Sequence, residues 1–162
     1  MIHLSKIDLI KNEREKFTIR EFIKQYDLSD EKFSVNSEGH VTVLHLSSKN
    51  LDKIPEIIRN LNKLQVLNLS HNNLKHIEYL DDLMQLKSLN IHSNKIEKIN
   101  GLSNLINLKN LNLLGNKITS ISGLEKLKSL ENLNLALNPL LDKEKEIYEK
   151  GLAAIFEYLK NN

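Results

Sequence analysis

The sequence predicts an α/β solenoid: a curved parallel sheet with a short helical or 3₁₀ convex side, and helical caps at both ends. Three observations predict it. Segments of one pattern begin at Leu64, Leu86, Leu108 and Leu130, at a constant spacing of 22 residues. Apolar residues alternate within each segment as they do along a short strand. An asparagine recurs at the ninth position of each segment. Such units cannot bury their apolar face alone, so they must stack side by side.

The N-terminal part, residues 1–40, predicts a helical cap followed by a hairpin strand. Two capping boxes, at Ser5–Asp8 and Thr18–Glu21, predict helix starts, and Leu4 with Leu9 is spaced as a hydrophobic staple. The residues that share one face of the second helix are Ile19, Phe22, Ile23 and Tyr26. An alternating run at Phe33 and Val35, and then a turn-rich stretch at residues 36–40, predict a strand covering the open edge of the first repeat.

Five repeats fill residues 41–140. The first begins at Val41, 23 residues before the second, and has Lys49 in the asparagine column, as expected for an atypical end unit. The ninth-position asparagines of the other four are Asn72, Asn94, Asn116 and Asn138. A buried amide at this turn can satisfy backbone groups, so the column predicts a ladder along the solenoid.

The second half of each repeat predicts the convex side. Apolar residues recur there at a spacing of three, for example at Ile96, Ile99, Leu102 and Leu105. This spacing suits a 3₁₀-like or short helical return with one face packed inward. The first unit differs, because it has one additional residue and a proline, Pro55.

The C-terminal part, residues 141–162, predicts one capping helix. Asn138-Pro139 closes the last repeat, and Asp142 is predicted to cap the helix. The apolar residues that line one side of this helix are Tyr148, Leu152, Ile155, Phe156 and Leu159. The three parts together are expected to form one continuous domain.

The pattern Leu-x-x-Leu-x-Leu-x-x-Asn-x-Ile/Leu resembles the leucine-rich-repeat signature. Its 22-residue form is similar to the class typified by protein-phosphatase-1 regulatory subunits, and Ile54-Pro55 looks like the 23-residue class of bacterial and plant intracellular repeats. Residues 138–141 and 151–159 resemble the junction between repeats and the GTPase domain of Roc-COR proteins. These resemblances imply a protein-interaction scaffold, with a phosphatase or a small GTPase as partner.

Composition restricts the function further. The chain has no cysteine, which excludes disulfides and thiolate metal sites. Asp8 and Glu13 interrupt the N-terminus before an apolar run of signal-peptide length, and no stretch has the length of a membrane helix. The net charge is +2, with acidic and basic residues interspersed. We therefore expect a monomeric protein of the cytoplasm.

Side chains at the fifth, seventh and eighth positions of each repeat are predicted to project from the concave face. None of these fifteen residues has a formal charge, in a chain that is 27% charged. Charged residues are depleted from the centres of protein interfaces, so this surface favours a protein ligand. The predicted partner-binding residues are His45, Asn68, His71, Asn90, His92, Asn112, Leu114, Asn134, Ala136 and Leu137.

Two features of this face have more than one interpretation. Leu114 and Leu137 either form an exposed apolar spot of the kind that marks an interaction site, or pack under the C-terminal segment. The fifth-position asparagines are either polar fillers or a row of hydrogen-bonding groups for a peptide main chain.

The sequence offers no catalytic, cofactor or metal site. His45, His71 and His92 stand in three different columns without the converging ligands that a metal needs, and no concave aspartate is present to orient a catalytic histidine. The alternative function is nucleic-acid binding by a basic rim: Lys75, Lys95, Lys98 and Lys117. Interspersed glutamates and the lack of interleaved aromatic residues argue against it.

Overall fold

The computed structural model describes residues 5–161. The strands are β1 Phe33–Val35, β2 Val41–His45, β3 Val66–Asn68, β4 Ser88–Asn90, β5 Asn110–Asn112 and β6 Asn132–Asn134. They form one six-stranded sheet in chain order. β1 is antiparallel to β2, and the strands from β2 to β6 are parallel. The predicted solenoid and its hairpin strand are therefore confirmed.

The strands pair so that equivalent repeat positions are neighbours. Leu67 pairs with Leu89, and Leu89 with Leu111, so the apolar residues of successive repeats stack into one core. These three side chains are at most 2% exposed. Because a shift by one residue would turn every leucine to the other face, the repeat pattern itself fixes this register.

The asparagine ladder is present as predicted. Asn94 Oδ1 accepts a hydrogen bond from the Leu74 N–H at 3.0 Å. Its Nδ2 donates to the carbonyls of Leu69 in the preceding repeat and Ile91 in its own, both at 3.0 Å. Asn94 is only 8% exposed. The side chain thus satisfies backbone groups that the turn leaves without partners.

The convex side is a 3₁₀ helix only in the first repeat, at Glu56–Asn60. Later repeats have consecutive turns there, in which the N–H of Leu83 donates to Leu80 and that of Leu86 to Leu83, both at 2.9 Å. The apolar residues at about three-residue spacing are buried in the first four repeats. The spacing therefore predicted the packing, and turns achieve it in the later repeats without a regular helix.

The second predicted helix of the N-terminal cap begins earlier than the sequence predicts. Helix α1 spans Glu13–Tyr26, and the Asn12 side chain accepts from the N–H groups of Arg14 and Glu15 at 3.0 and 3.1 Å. Thr18 lies inside the helix, where its hydroxyl donates to the Arg14 carbonyl at 2.9 Å. The predicted helix start at Thr18 is wrong, because Asn12 already satisfies the amides of the first turn.

The segment before α1 is a short 3₁₀ turn, Lys6–Leu9. Ser5 precedes it, but its side chain caps no backbone N–H, so the predicted capping box does not form. Leu9 is 52% exposed, and its predicted staple partner Leu4 lies outside the described residues. The predicted apolar face of the following helix is confirmed, since Ile19 and Phe22 are fully buried.

A buried carboxylate attaches the N-terminal cap to the sheet. Glu15 is 1% exposed and accepts from the Val41 N–H at 2.7 Å. Its other oxygen lies 2.8 Å from His40 Nδ1. Since a buried charge must be paired and hydrogen-bonded, these contacts fix α1 at the start of β2.

The C-terminal cap consists of two helices, α2 Asp142–Glu149 and α3 Leu152–Asn161. The prediction of one helix over residues 141–162 is wrong. The helical conformation is interrupted at Gly151. Its φ of +90° is an angle that glycine adopts readily. Asp142 does not cap α2 either: it is the first helical residue, and Leu141 precedes it without a side-chain hydrogen bond.

Two side chains of α2 bind the last repeats. Glu144 is 8% exposed and accepts from the Ser120 hydroxyl at 2.9 Å and from the Ile121 N–H. The Tyr148 hydroxyl accepts from the Leu135 N–H at 3.1 Å. Leu135 is at the sixth position of its repeat, and in the inner repeats the N–H at this position donates to the next strand.

Candidate protein-interaction surface

The concave face consists of the third- and fifth-position side chains, which alternate with the buried fourth-position leucines along the strands. The fifth-position residues, all partly buried, are His45, Asn68, Asn90, Asn112 and Asn134. The structure thus brings these predicted residues together in one column across five strands. The seventh and eighth positions lie in the turn after each strand, at the rim of this face.

The oxygen atoms of the fifth-position asparagines have a structural role. Each accepts a hydrogen bond from the backbone N–H two residues later, as at Asn68 to Ser70 (3.0 Å) and Asn112 to Leu114 (3.1 Å). No described residue accepts a hydrogen bond from their Nδ2 groups. The column is therefore partly structural, and its amide nitrogens remain as a row of donors toward the concave side.

The sequence analysis missed the third-position column: Val43, Val66, Ser88, Asn110 and Asn132. The two-residue period of a strand places these side chains on the same face as the fifth position, and this signal was available. In the last three repeats the two columns line a shallow depression of about 480 Å³. Its polar lining residues are Ser88, Asn90, Asn110, Asn112, Asn132 and Asn134.

The eighth position of every repeat is in the left-handed helical conformation. The residues, with φ values between 54° and 63°, are Ser48, His71, Ser93, Gly115 and Leu137. Glycine adopts this conformation without strain, but it is unfavourable for leucine. The turn geometry therefore directs the Leu137 side chain outward, although this residue is poorly suited to the backbone.

The C-terminal segment does not cover Leu137. Its side chain is 81% exposed, and that of Leu141 is 61% exposed. Ala136 is exposed and Leu114 is partly buried. Ser70, predicted to project from the concave face at the seventh position, is instead buried. An apolar spot around Leu137 thus lies at the C-terminal end of the rim.

Two of the predicted histidines are in contact. The rings of His71 and His92 meet edge to face, with centroids 4.5 Å apart. Burial lowers the pKa of His92, and the neighbouring His71 lowers it further. Burial also lowers the pKa of His45, with a smaller contribution from Lys32. His45 and His92 are therefore neutral at pH 7, and the face carries no positive charge from them.

The described residues contain no group of three or more histidine, aspartate or glutamate side chains positioned to hold a metal ion. None of the helices within residues 5–161 could cross a membrane. The side chains of the predicted basic rim, at positions 75, 95, 98 and 117, are all exposed. Glu97 is exposed among them.

Residues 39–96 match the family model described as leucine rich repeat, and residues 85–125 match a model of two leucine-rich-repeat copies. Together the matches cover more than half of the chain. It is a leucine-rich-repeat protein. No curated protein sequence matches the chain.

Several solved structures share the leucine-rich-repeat fold. Internalin C2 of Listeria monocytogenes is 33% identical, with a TM-score of 0.59 over 62% of this chain and 44% of that chain. A chain of the Drosophila melanogaster SNF/U2A' complex is 28% identical, with a TM-score of 0.59 over 78% and 73% of the two chains. The ectodomain of the Arabidopsis thaliana receptor kinase SOBIR1 is 23% identical and has a TM-score of 0.64 over 80% and 82%.

These similarities have different weight. At 23% identity, the likeness to SOBIR1 concerns the fold alone. This leucine-rich-repeat protein spans less than half of the internalin C2 chain. Leucine-rich-repeat proteins of these kinds act in protein–protein interaction, and the fold is generally a non-enzymatic scaffold. The similarities do not extend to a specific partner.

Proposed function

We propose that this protein is a monomeric, non-enzymatic adaptor or regulator of the cytoplasm that binds a folded protein through its concave face. The observation that carries the proposal is an uncharged surface that ends in an exposed apolar spot. Uncharged side chains occupy the concave face and the seventh and eighth positions beside it, and Leu137 extends 81% exposed from one end.

The lack of charge is not explained by composition. The third, fifth, seventh and eighth positions of five repeats together contain no lysine, arginine, aspartate or glutamate. The chain is 27% charged, so about five charges would be expected there if residues were distributed at random. Depletion of charge is typical of the centre of a protein interface.

The size of the face determines how a partner is bound. Five strands lie about 4.8 Å apart, and each repeat shows about five residues from its third to its seventh position, which gives a flat projection of roughly 20 by 17 Å. A standard interface buries about 800 Å² on each partner, more than twice this projection. We therefore propose that the partner also contacts the rim, where Ala136 and Leu137 are exposed.

Two partner classes are proposed from the family resemblance: a phosphatase catalytic subunit and a small GTPase. The first rests on the 22-residue repeat form, and the second on the similarity of residues 138–141 and 151–159 to the Roc-COR junction. Similar chains belong to the SNF/U2A' and BIR3–SERK2 complexes, so related scaffolds occur in protein assemblies.

Nucleic-acid binding is the second candidate function. The exposed lysines at positions 75, 95, 98 and 117 support it. Phosphate contacts release counterions, so such binding would weaken steeply with salt. Retention on a heparin column that persists above about 0.3 M salt would favour this function. Elution at lower salt would favour the protein-binding function.

The protein-binding proposal is tested with the purified chain as bait in lysate of its source organism. The variant combines Leu114→Lys with Leu137→Lys. Ile106→Lys is the matched control, because Ile106 is 58% exposed in the turn that precedes β5, outside the concave face. Proteins retained by each bait are identified by mass spectrometry, and circular dichroism verifies that all baits are folded.

A protein retained by the wild type and by the Ile106→Lys control, but lost with the double variant, would support the concave C-terminal end as the binding site. A protein retained equally by all three baits would contradict this site and direct attention to the caps. An identified phosphatase or GTPase would in addition decide between the two partner classes.

A further inference from the structure

The C-terminal edge of the sheet has open backbone groups. Consecutive residues of a strand direct their N–H and C=O groups to opposite edges. The Leu113 N–H donates to the Asn134 carbonyl at 2.8 Å, so the backbone groups of Asn134 face β5. Those of Leu133 therefore face away from β5, toward the edge. Within residues 5–161 β6 pairs with β5 alone, so the Leu133 N–H and C=O have no strand partner.

The cap closes only part of this edge. The Leu135 N–H also faces away from β5, and it donates to the Tyr148 hydroxyl at 3.1 Å. Leu133 lies two residues earlier on the same edge, and among the described residues no side chain of the cap accepts a hydrogen bond from its N–H. Its side chain is partly exposed, whereas Leu111 at the same position of the preceding repeat is 2% exposed. The last unit thus lacks a covering layer at the level of Leu133.

A cleft of about 500 Å³ lies beside this open edge. The side chains of Leu152 and Ile155 form an apolar wall, and Gly151, where the helices break, contributes no side chain. Glu149 is exposed at the cleft, and no lysine or arginine lines it. The cleft therefore combines main-chain hydrogen-bonding groups, an apolar wall and an unbalanced negative charge.

We propose that this edge binds an extended segment of a partner protein, which adds to the sheet as a seventh strand beside β6. The open N–H and C=O of Leu133 require a main chain as occupant, because an apolar ligand would leave them unpaired. An apolar side chain of the segment covers Leu133 and contacts Leu152. A basic residue of the segment lies near Glu149. This site shares Asn132 with the concave depression, but it does not include the apolar spot around Leu137.

The probe is a peptide with the sequence of residues 109–117, Lys-Asn-Leu-Asn-Leu-Leu-Gly-Asn-Lys. In the intact protein this sequence lies beside a strand of the same sheet, and it is basic at both ends. The control peptide contains Asn112→Pro, which removes the N–H that would donate to the Leu133 carbonyl. Hydrogen exchange at each backbone amide is followed by NMR with and without peptide.

Saturating peptide is expected to slow exchange at the Leu133 amide by about tenfold or more, with little change at Leu67. The control peptide should have no such effect. Leu152→Lys makes the wall polar, and this variant should lose the effect. Leu137→Lys should retain it, which separates this site from the apolar spot around Leu137.

Unchanged exchange at Leu133 in about 1 mM peptide would overturn the proposal, as would an equal effect of both peptides. Protection of Leu133 without peptide that rises with protein concentration would also overturn it. In that case a second copy of the chain would occupy the edge.

Discussion

The eighth position of the last repeat holds a residue that is poorly suited to its backbone conformation. The backbone at the eighth position is left-handed in all five repeats, and it accommodates Gly115 without strain. Leu137 adopts the same conformation at a φ of 57°. Its side chain is 81% exposed, so it gains little from burial that would offset this strain.

Leu137→Asn is therefore expected to stabilise the protein. Asparagine tolerates the left-handed conformation better than leucine, and the lost leucine contacts are few. We expect the free energy of unfolding to rise by about 0.5–1 kcal/mol, measured by urea denaturation. The same substitution at Leu133, a strand residue, should instead destabilise the protein. A decrease for Leu137→Asn would mean that its side chain packs against the protein in solution.

The concave histidines predict a pH dependence of stability. Burial lowers the pKa of His92 and of His45 below 6.5, the ordinary value to which both return on unfolding. Between the lowered pKa and pH 6.5, the unfolded state therefore binds more protons than the folded state. The free energy of unfolding should therefore decrease as the pH falls below about 6.5. Above that pH both histidines are neutral in the folded and unfolded states, and they cause no loss of stability.

Urea denaturation at about pH 7.5, 6.5 and 5.5 measures this effect. A variant with His45→Gln and His92→Gln should lose part of the decrease, and His76→Gln at an exposed position serves as the control. Equal pH dependence of the double variant and the wild type would show that other groups cause it.

Residues that repeat were predictable from the sequence. The column of Asn94 was predicted as a ladder, because a polar residue fixed at one turn position in four repeats needs a structural reason. The left-handed column was not predicted, since serine, histidine, glycine and leucine share no side-chain property there. The common feature is the backbone angle, which a sequence of mixed residue types does not indicate.

At the level of elements, the two caps supply hydrogen bonds that a further repeat would otherwise supply. In the inner repeats the sixth-position N–H donates to the next strand, as from Leu113 to Asn134. In the last repeat the Tyr148 hydroxyl of α2 accepts from Leu135 instead. At the other end Glu15 of α1 accepts from Val41. At the N-terminal end β1 also pairs with β2, so Glu15 supplements a strand there, whereas Tyr148 acts beside the open edge of β6.

Tyr148→Phe tests this role of α2. The substitution removes the acceptor and retains the ring, so the Leu135 N–H loses its partner. We expect a loss of about 1–2 kcal/mol in the free energy of unfolding and faster hydrogen exchange at the Leu135 amide. The Leu113 amide, which donates to the Asn134 carbonyl in β6, is the internal control. Unchanged exchange at Leu135 would mean that another group or water accepts the hydrogen bond.

The cap boundaries were the least predictable part of the fold. The repeat pattern occurs five times, so each position can be compared with its equivalents in the other repeats. Each helix boundary of the caps occurs only once in the sequence. Thr18 and Glu21 have capping-box spacing, yet Asn12 caps α1 because tertiary packing includes the preceding turn in the helix. Gly151 divides the C-terminal cap, although the apolar spacing continues across it and predicted one helix.

Across the whole molecule, the fourth-position leucines are fully covered in the inner repeats and less covered in the last one. The fourth-position leucine is 0% exposed in the second repeat, 1% in the third and 2% in the fourth, at Leu67, Leu89 and Leu111. In the last repeat Leu133 is partly exposed. Each repeat of a solenoid is stabilised mainly by its neighbours, so the last repeat has the weakest support.

The exposure of Leu133 predicts unequal opening of the sheet in the native state. Equivalent third-position amides donate to the preceding strand in three repeats: Ser88 to Gln65 at 3.0 Å, Asn110 to Lys87 at 3.0 Å and Asn132 to Lys109 at 2.9 Å. Because their hydrogen bonds are alike, differences in exchange report local stability. We expect native-state exchange to be about tenfold faster at Asn132 than at Ser88, with Asn110 between them. Equal rates would show that the repeats open together as one cooperative unit, in which the α2–α3 cap fully compensates for the exposure of Leu133.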